Sequence, residues 1–311
     1  MPYRQDQRIR LQPQLHGFTL VSVALVLILT LCFSSPLNAS STSIRKRSKS
    51  DRDIAKSGHR KLGDGPKNLF SAEKEKEIGA QESAAFERST KLLHDPQTSM
   101  YLDHLAQLIA RNSDAQFPII VNVIESDDVY AVTLPAGHQY LTRGLLLRVQ
   151  SEGELASALA RGIAHTALRS ATMQATKESL ARLATVPLIF VGQNSPSSST
   201  ASVDSTIPLT ILQFKRDDEV DADYFGIQYL YKTGYATDCF LSFVQAVWPQ
   251  SQEPALKSFS VVPPLADRVE ALREEIGTIL PQRSGDIVST PQFAEFQAHL
   301  RSLTPVDGPR K

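Results

Sequence analysis

Two cysteines occur in 311 residues, Cys32 and Cys239. So few exclude a disulfide-stapled scaffold. If the segment around Cys32 is removed after export, Cys239 has no internal partner and reads as a small buried apolar residue. Net charge is also missing, since 33 Lys and Arg balance 33 Asp and Glu. With no basic excess and no nucleic-acid-binding motif, nucleic acid is not an expected partner. No internal repeat is present. The length fits one large domain or two small ones.

What is present begins with an apolar run. Residues Phe18 to Phe33 carry no charge, follow Arg4, Arg8 and Arg10, and lead into Pro36-Leu37-Asn38-Ala39. A basic head, an apolar run and a small-residue exit describe a signal peptide over residues 1–39, cleaved after Ala39, or a signal anchor held through residues 17–33. The run is slightly short of the roughly 20 residues a spanning helix needs. Bulky Leu31 before Cys32 argues against a lipoprotein signal. The expected location is the periplasm or cell envelope, with membrane association if the segment is retained. Residues 40–67, rich in Ser, Lys and Arg, read as a basic disordered linker.

From Asn68 the pattern becomes that of a folded domain. Ser71 is placed to cap a helix reaching Leu93, ended by Asp95-Pro96. Tyr101, Leu105, Leu108 and Ile109 mark a second helix. Strands are expected at 117–124 and 129–134, the latter stopped by Pro135-Ala136-Gly137, with a short third at 139–142. A short helix covers 145–149. A long one spans Ser151 to Arg169, with continuation to Leu183 left open. A Ser-rich loop spans 194–205. Further helices are expected at 217–232, from a Thr237 cap to Val247, at 267–276, and around Phe293, Phe296, Leu300 and Leu303. This is an α+β domain, mostly helical with a small β-sheet, over residues 68–283, followed by a C-terminal helix and tail over 284–311.

One helix carries the chemistry. In Glu154-Leu155-Ala156-Ser157-Ala158-Leu159-Ala160-Arg161-Gly162-Ile163-Ala164-His165, Leu155, Leu159 and Ile163 share a face. Arg161 and His165 stand one turn apart on another, the spacing at which two histidines hold one zinc ion. The segment resembles the active-site helix of the M48 metallopeptidases, a family that includes bacterial periplasmic proteases. Aligned on Glu154-Leu155-Ala156, the first His of His-Glu-x-x-His falls on Arg161, the general base on Gly162 and the second His on His165. Three more segments resemble the family in the same order. They are Val129 to Leu146 with its Pro135 turn, Glu219-Val220-Asp221-Ala222-Asp223-Tyr224-Phe225-Gly226, and Ser260-Val261-Val262-Pro263-Pro264 through Arg268-Val269. In the last, Val262 stands where the family has histidine.

The resemblance implies a zincin-like fold, with Glu219 as a third metal ligand and Asp223 in support. The departures remove its chemistry. A catalytic zinc needs three protein ligands and an open position, and only His165 and Glu219 remain, as vestigial metal residues. Arginine stays protonated and offers no lone pair. Gly162 lacks the carboxylate that takes a proton from zinc-bound water. No catalytic residue is intact, and no cofactor is expected. Zinc belongs to an alternative reading, an active metalloendopeptidase with His138 or Asp223 recruited to the site, against which His138 reads as an exposed turn residue. Arg161 is expected to pair with Glu219, its charge standing in for the metal's. Family members bind extended substrate along the strand beside the zinc helix, here Val129, Ala131 and Thr133, by backbone pairing that needs no zinc. The expected role is a degenerate peptidase that binds client polypeptide in envelope protein quality control. A purely structural envelope protein is the remaining alternative.

Overall fold

The computed structural model describes residues 47–63, 68–185, 216–247 and 265–303, all within one compact unit. Its first elements hold the sequence expected to be a solvated linker. A single-turn helix, α1 (Lys49–Arg52), is capped by Ser48, and a 3₁₀ turn follows at Ile54–Lys56. Arg60 and Ser57 are buried. Asp114 accepts hydrogen bonds from the backbone N–H of Gly58 (2.7 Å) and Arg60 (2.8 Å), from Arg60 Nε (2.8 Å) and from the Tyr229 hydroxyl (2.9 Å). The described part of the linker, 47–63, is therefore a strap fixed by polar contacts. Few apolar residues are needed for that, which is why composition alone reads it as disordered.

Helix α2 (Ala72–Ser89) starts where Ser71 accepts from the N–H of Lys74. It stops short of the expected Leu93, because Thr90 is extended and Leu92 bridges antiparallel to Ile124. Asp95 caps α3 (Pro96–Ala110), with Pro96 in the first turn. The face Leu102, Leu105, Ala106 and Ile109 enters the core. Three strands follow, the first two shorter than expected and the third one residue longer: β1 (Ile120–Ile124), β2 (Ala131–Thr133) and β3 (His138–Thr142). Their order is β1-β3-β2. β1 runs parallel to β3 with Val121 opposite Gln139, and β2 runs antiparallel with Thr133 opposite Gln139. The turn between β2 and β3 has Ala136 at φ 60 and Gly137 at φ 90. A Cβ on Gly137 would lie 2.1 Å from the Pro118 carbonyl oxygen, so only glycine fits.

Thr142 ends β3 and caps α4 (Arg143–Arg148) by accepting from the N–H of Leu145. Ser151 then caps α5 (Glu152–Ala167), of which every residue but Arg161 is buried. Leu155, Leu159 and Ile163 form the middle of the main core. Continuation to Leu183 fails at Arg169, whose φ is 51. Its guanidinium is buried against Glu75 (2.7 Å) and the Phe70 carbonyl (2.8 Å), which holds the chain in a turn. A separate helix, α6 (Ser170–Thr185), follows. Then come α7 (Arg216–Thr233), α8 (Asp238–Val247), α9 (Leu265–Thr278) and α10 (Pro291–Ser302). Phe293, Phe296 and Leu300 of α10 enter the same core as α5. On α7, Gly226 faces the Arg161 backbone, and a Cβ there would stand 3.2 Å from Arg161 Cα. That glycine lets α5 and α7 approach closely beside Arg161. The expected Ser-rich loop at 194–205 and the apolar run at 17–33 lie outside the described residues.

Candidate metal centre and peptide edge

Three helices converge on Arg161. From α5 come Arg161, Gly162 and His165, from α7 Glu219 and Asp223, and from α9 Arg268. The Arg161 guanidinium lies against the Glu219 carboxylate. Its Nε donates to Asp223 Oδ1 at 3.0 Å. Arg268 donates to the same carboxylate twice, from Nε at 2.7 Å and Nη2 at 2.9 Å. His165 Nε2 is 3.9 Å from Glu219 Oε1, and its Nδ1 is 3.2 Å from Ser170 Oγ. Glu219, Asp223 and His165 are buried. Two guanidinium groups thus face two carboxylates, and charge balances without an added cation.

The titration properties follow from that burial. His165 is held well below the usual histidine value by burial and by the charges of Arg161 and Arg268, so it is neutral at pH 7. Burial also lowers Arg161, to about 10, against the pull of Asp223. For Asp223, burial pushes the carboxyl up, and Arg268 and Arg161 more than reverse this, leaving it below the usual range.

The residue beside Arg161 has also been covered. A Cβ on Gly162 would stand 2.7 Å from Cδ and Oε1 of Gln139, whose buried side chain reaches across from β3. Strand alternation puts His138 on the opposite face of β3. That face carries Tyr140, which donates to Glu87 at 2.7 Å. His138 is half-buried at the start of the strand rather than exposed in the turn. Its neighbourhood is the Glu87 side of the sheet, and burial lowers its pKa.

The third feature is the outer edge of β2. The Leu134 N–H donates to the His138 carbonyl (2.8 Å) and the Thr142 N–H to that of Tyr130 (3.1 Å). In an antiparallel pair alternate residues turn their backbone groups toward the partner strand. Residues 130, 132 and 134 therefore face β3, while Val129, Ala131 and Thr133 direct theirs away from it. Ala131 is exposed, and Val129 and Thr133 are half-buried.

Sequence reasoning placed Arg161, Gly162, His165, Glu219 and Asp223, and the structure brings them together. It missed Arg268 and Gln139 as members of this cluster. Both left a trace: Arg268 interrupts the buried stripe with Val269 and Leu272, and Gln139 is a polar residue on the same strand face as buried Leu141. Val262 lies outside the described residues.

Comparison with known proteins decides the family. The model of Peptidase family M48 matches residues 96–276, more than half of the chain. The chain belongs to peptidase family M48. Within it, the chain is similar to the putative β-barrel assembly-enhancing protease of Vibrio cholerae, 29% identical over 160 residues, 49% of this chain and 33% of that protein. The enzyme of that name from Yersinia pestis is 28% identical over 176 residues, covering 53% and 35%. For the Escherichia coli protein the figures are 23% over 199 residues, 61% and 41%. The chain thus spans a third to two fifths of the length of these relatives.

M48 peptidases are typically zinc-dependent, and the residues of this chain do not fit that ion. A guanidinium rests on Glu219, one of the two ligand positions that the M48 resemblance leaves. A dication there would meet a fixed positive charge and lack a third donor. Asp223 is already held by two arginines, and His138 belongs to the other face of the sheet.

Proposed function

We propose that this M48 protein binds extended polypeptide along the β2 edge and does not hydrolyse it through a zinc centre. The observation that carries this reading is the Arg161 guanidinium seated on Glu219, with no carboxylate at position 162. Peptide addition to a strand edge uses backbone N–H and C=O groups, so it survives loss of the catalytic side chains. Val129, Ala131 and Thr133 supply those groups. The clients are unfolded or extended envelope polypeptides, and the names of the relatives point to β-barrel proteins as the class to test first. Export rests on the basic head and apolar run ahead of Ala39. The role is protein quality control by binding.

The test is a binding titration of the purified protein with an unfolded β-barrel outer-membrane protein, beside a casein cleavage assay with and without chelator. Saturable binding with no chelator-sensitive cleavage is expected. Chelator-sensitive cleavage, or binding no stronger than that of an unrelated exported protein, overturns the reading.

A further inference from the structure

We infer that the emptied metal centre has been rebuilt as a metal-free polar cross-link, in which Arg161 does the holding work of the ion and Gln139 fills the room of the general base. Metal ligands on two helices tie those helices through the ion. Here Arg161 of α5 reaches both Glu219 and Asp223 of α7, and Asp223 carries the connection on to Arg268 of α9. Three helices are joined by charge-assisted contacts around one shared carboxylate. Such contacts are among the stronger hydrogen bonds a protein makes, and the planar fork of arginine suits them where lysine does not. Gly226 supports the arrangement, since its missing side chain lets α7 lie against the Arg161 backbone.

Gln139 closes the other side. Its amide lies over the Cα of Gly162, and its Nε2 is buried with no hydrogen-bond partner among the described residues. A glutamate at 162 would need the space the amide occupies. Glycine at 162 and glutamine at 139 are thus fitted to each other, in a helix where glycine is otherwise unfavourable. The inference concerns what holds α5, α7 and α9 together. It stands whether or not the β2 edge binds peptide.

The test uses the full chain, with zinc content by elemental analysis and thermal unfolding by circular dichroism. Zinc well below one per chain and a Tm unmoved by chelator or added zinc are expected. Arg161→Met should lower Tm by about 10 °C, since a buried carboxylate loses its counter-charge. Arg161→Lys should recover only part of that loss. A cycle of mild variants covers the case in which Arg161→Met does not fold. Gly162→Ala, ordinarily stabilising in a helix, should lower Tm in the parent and raise it by about 2–4 °C in a Gln139→Ala background. Three results would overturn the inference. They are near-stoichiometric zinc lost on His165→Ala, a Tm that falls with chelator, or a Gly162→Ala effect of the same sign in both backgrounds.

Discussion

The centre on α5 and the edge of β2 depend on different parts of the chain. In the M48 pattern such a centre works through particular side chains, a lone pair from histidine and a proton acceptor from glutamate. Arg161 and Gly162 stand at two of those positions and supply neither. On the proposed reading the edge works through backbone groups that every residue but proline possesses, so it depends little on side-chain identity. The two regions also hold charge differently. At the centre two arginines face two buried carboxylates, whereas the edge has Ala131 open to solvent. Damage to the centre should therefore register as lost stability, and damage to the edge as lost binding.

The largest break expected is Asp223→Ala. It strips the shared carboxylate from Arg161 and Arg268 and should cost about 3–5 kcal/mol in chemical denaturation, while the affinity of the folded fraction for extended peptide holds. Next comes Ala131→Pro, which removes an N–H directed away from β3. Peptide affinity should fall about tenfold, from the lost hydrogen bond and the bulk of the ring, with Tm nearly unchanged. Fluorescence anisotropy with a labelled extended peptide reads the first quantity and calorimetry the second.

A smaller effect is expected at Glu275, behind the centre. Burial raises its carboxyl well above the ordinary 4.5, against the opposing Gln228 hydrogen bond and the charges of Arg47 and Arg60, with Asp223 adding to the rise. The folded state therefore keeps a proton that the unfolded chain releases above about 4.5. The stabilising contribution is complete below that pH and is lost as pH rises toward the folded value. Glu275→Gln should raise Tm by a few degrees at pH 8, with little change at pH 4.5, and flatten the slope between them. The smallest effect is expected from His138→Ala. Lying on the other face of β3, it should change peptide affinity less than about twofold and stability by about 0.5 kcal/mol. A large loss of binding there would mean that the recognition surface extends round the sheet.

Much of this was legible in the sequence, for identifiable reasons. The spacing of Leu155, Leu159 and Ile163 marked α5, and Arg161 and His165 one turn apart marked the site. The Pro135 turn located the boundary between β2 and β3. The break at Arg169 was not legible, because residues 166–183 keep helical composition and the turn depends on a distant acid, Glu75. Gln139 and Arg268 were hidden for a related reason, since each acquires its role from a partner on another element. The strap at 47–63 escaped notice because hydrophobic periodicity is blind to a segment fastened by hydrogen bonds.

That strap sets the limits of the smallest piece able to fold alone. A chain begun at Asn68, where apolar patterning starts, would leave Asp114 without Arg60 and without the two N–H groups that now satisfy it. It would also uncover Gln228 and Asp221, partners of Arg60 and Arg47. A shortened protein for biophysical work therefore needs to begin ahead of Arg47, so that the strap keeps its partners Asp221 and Gln228 on α7.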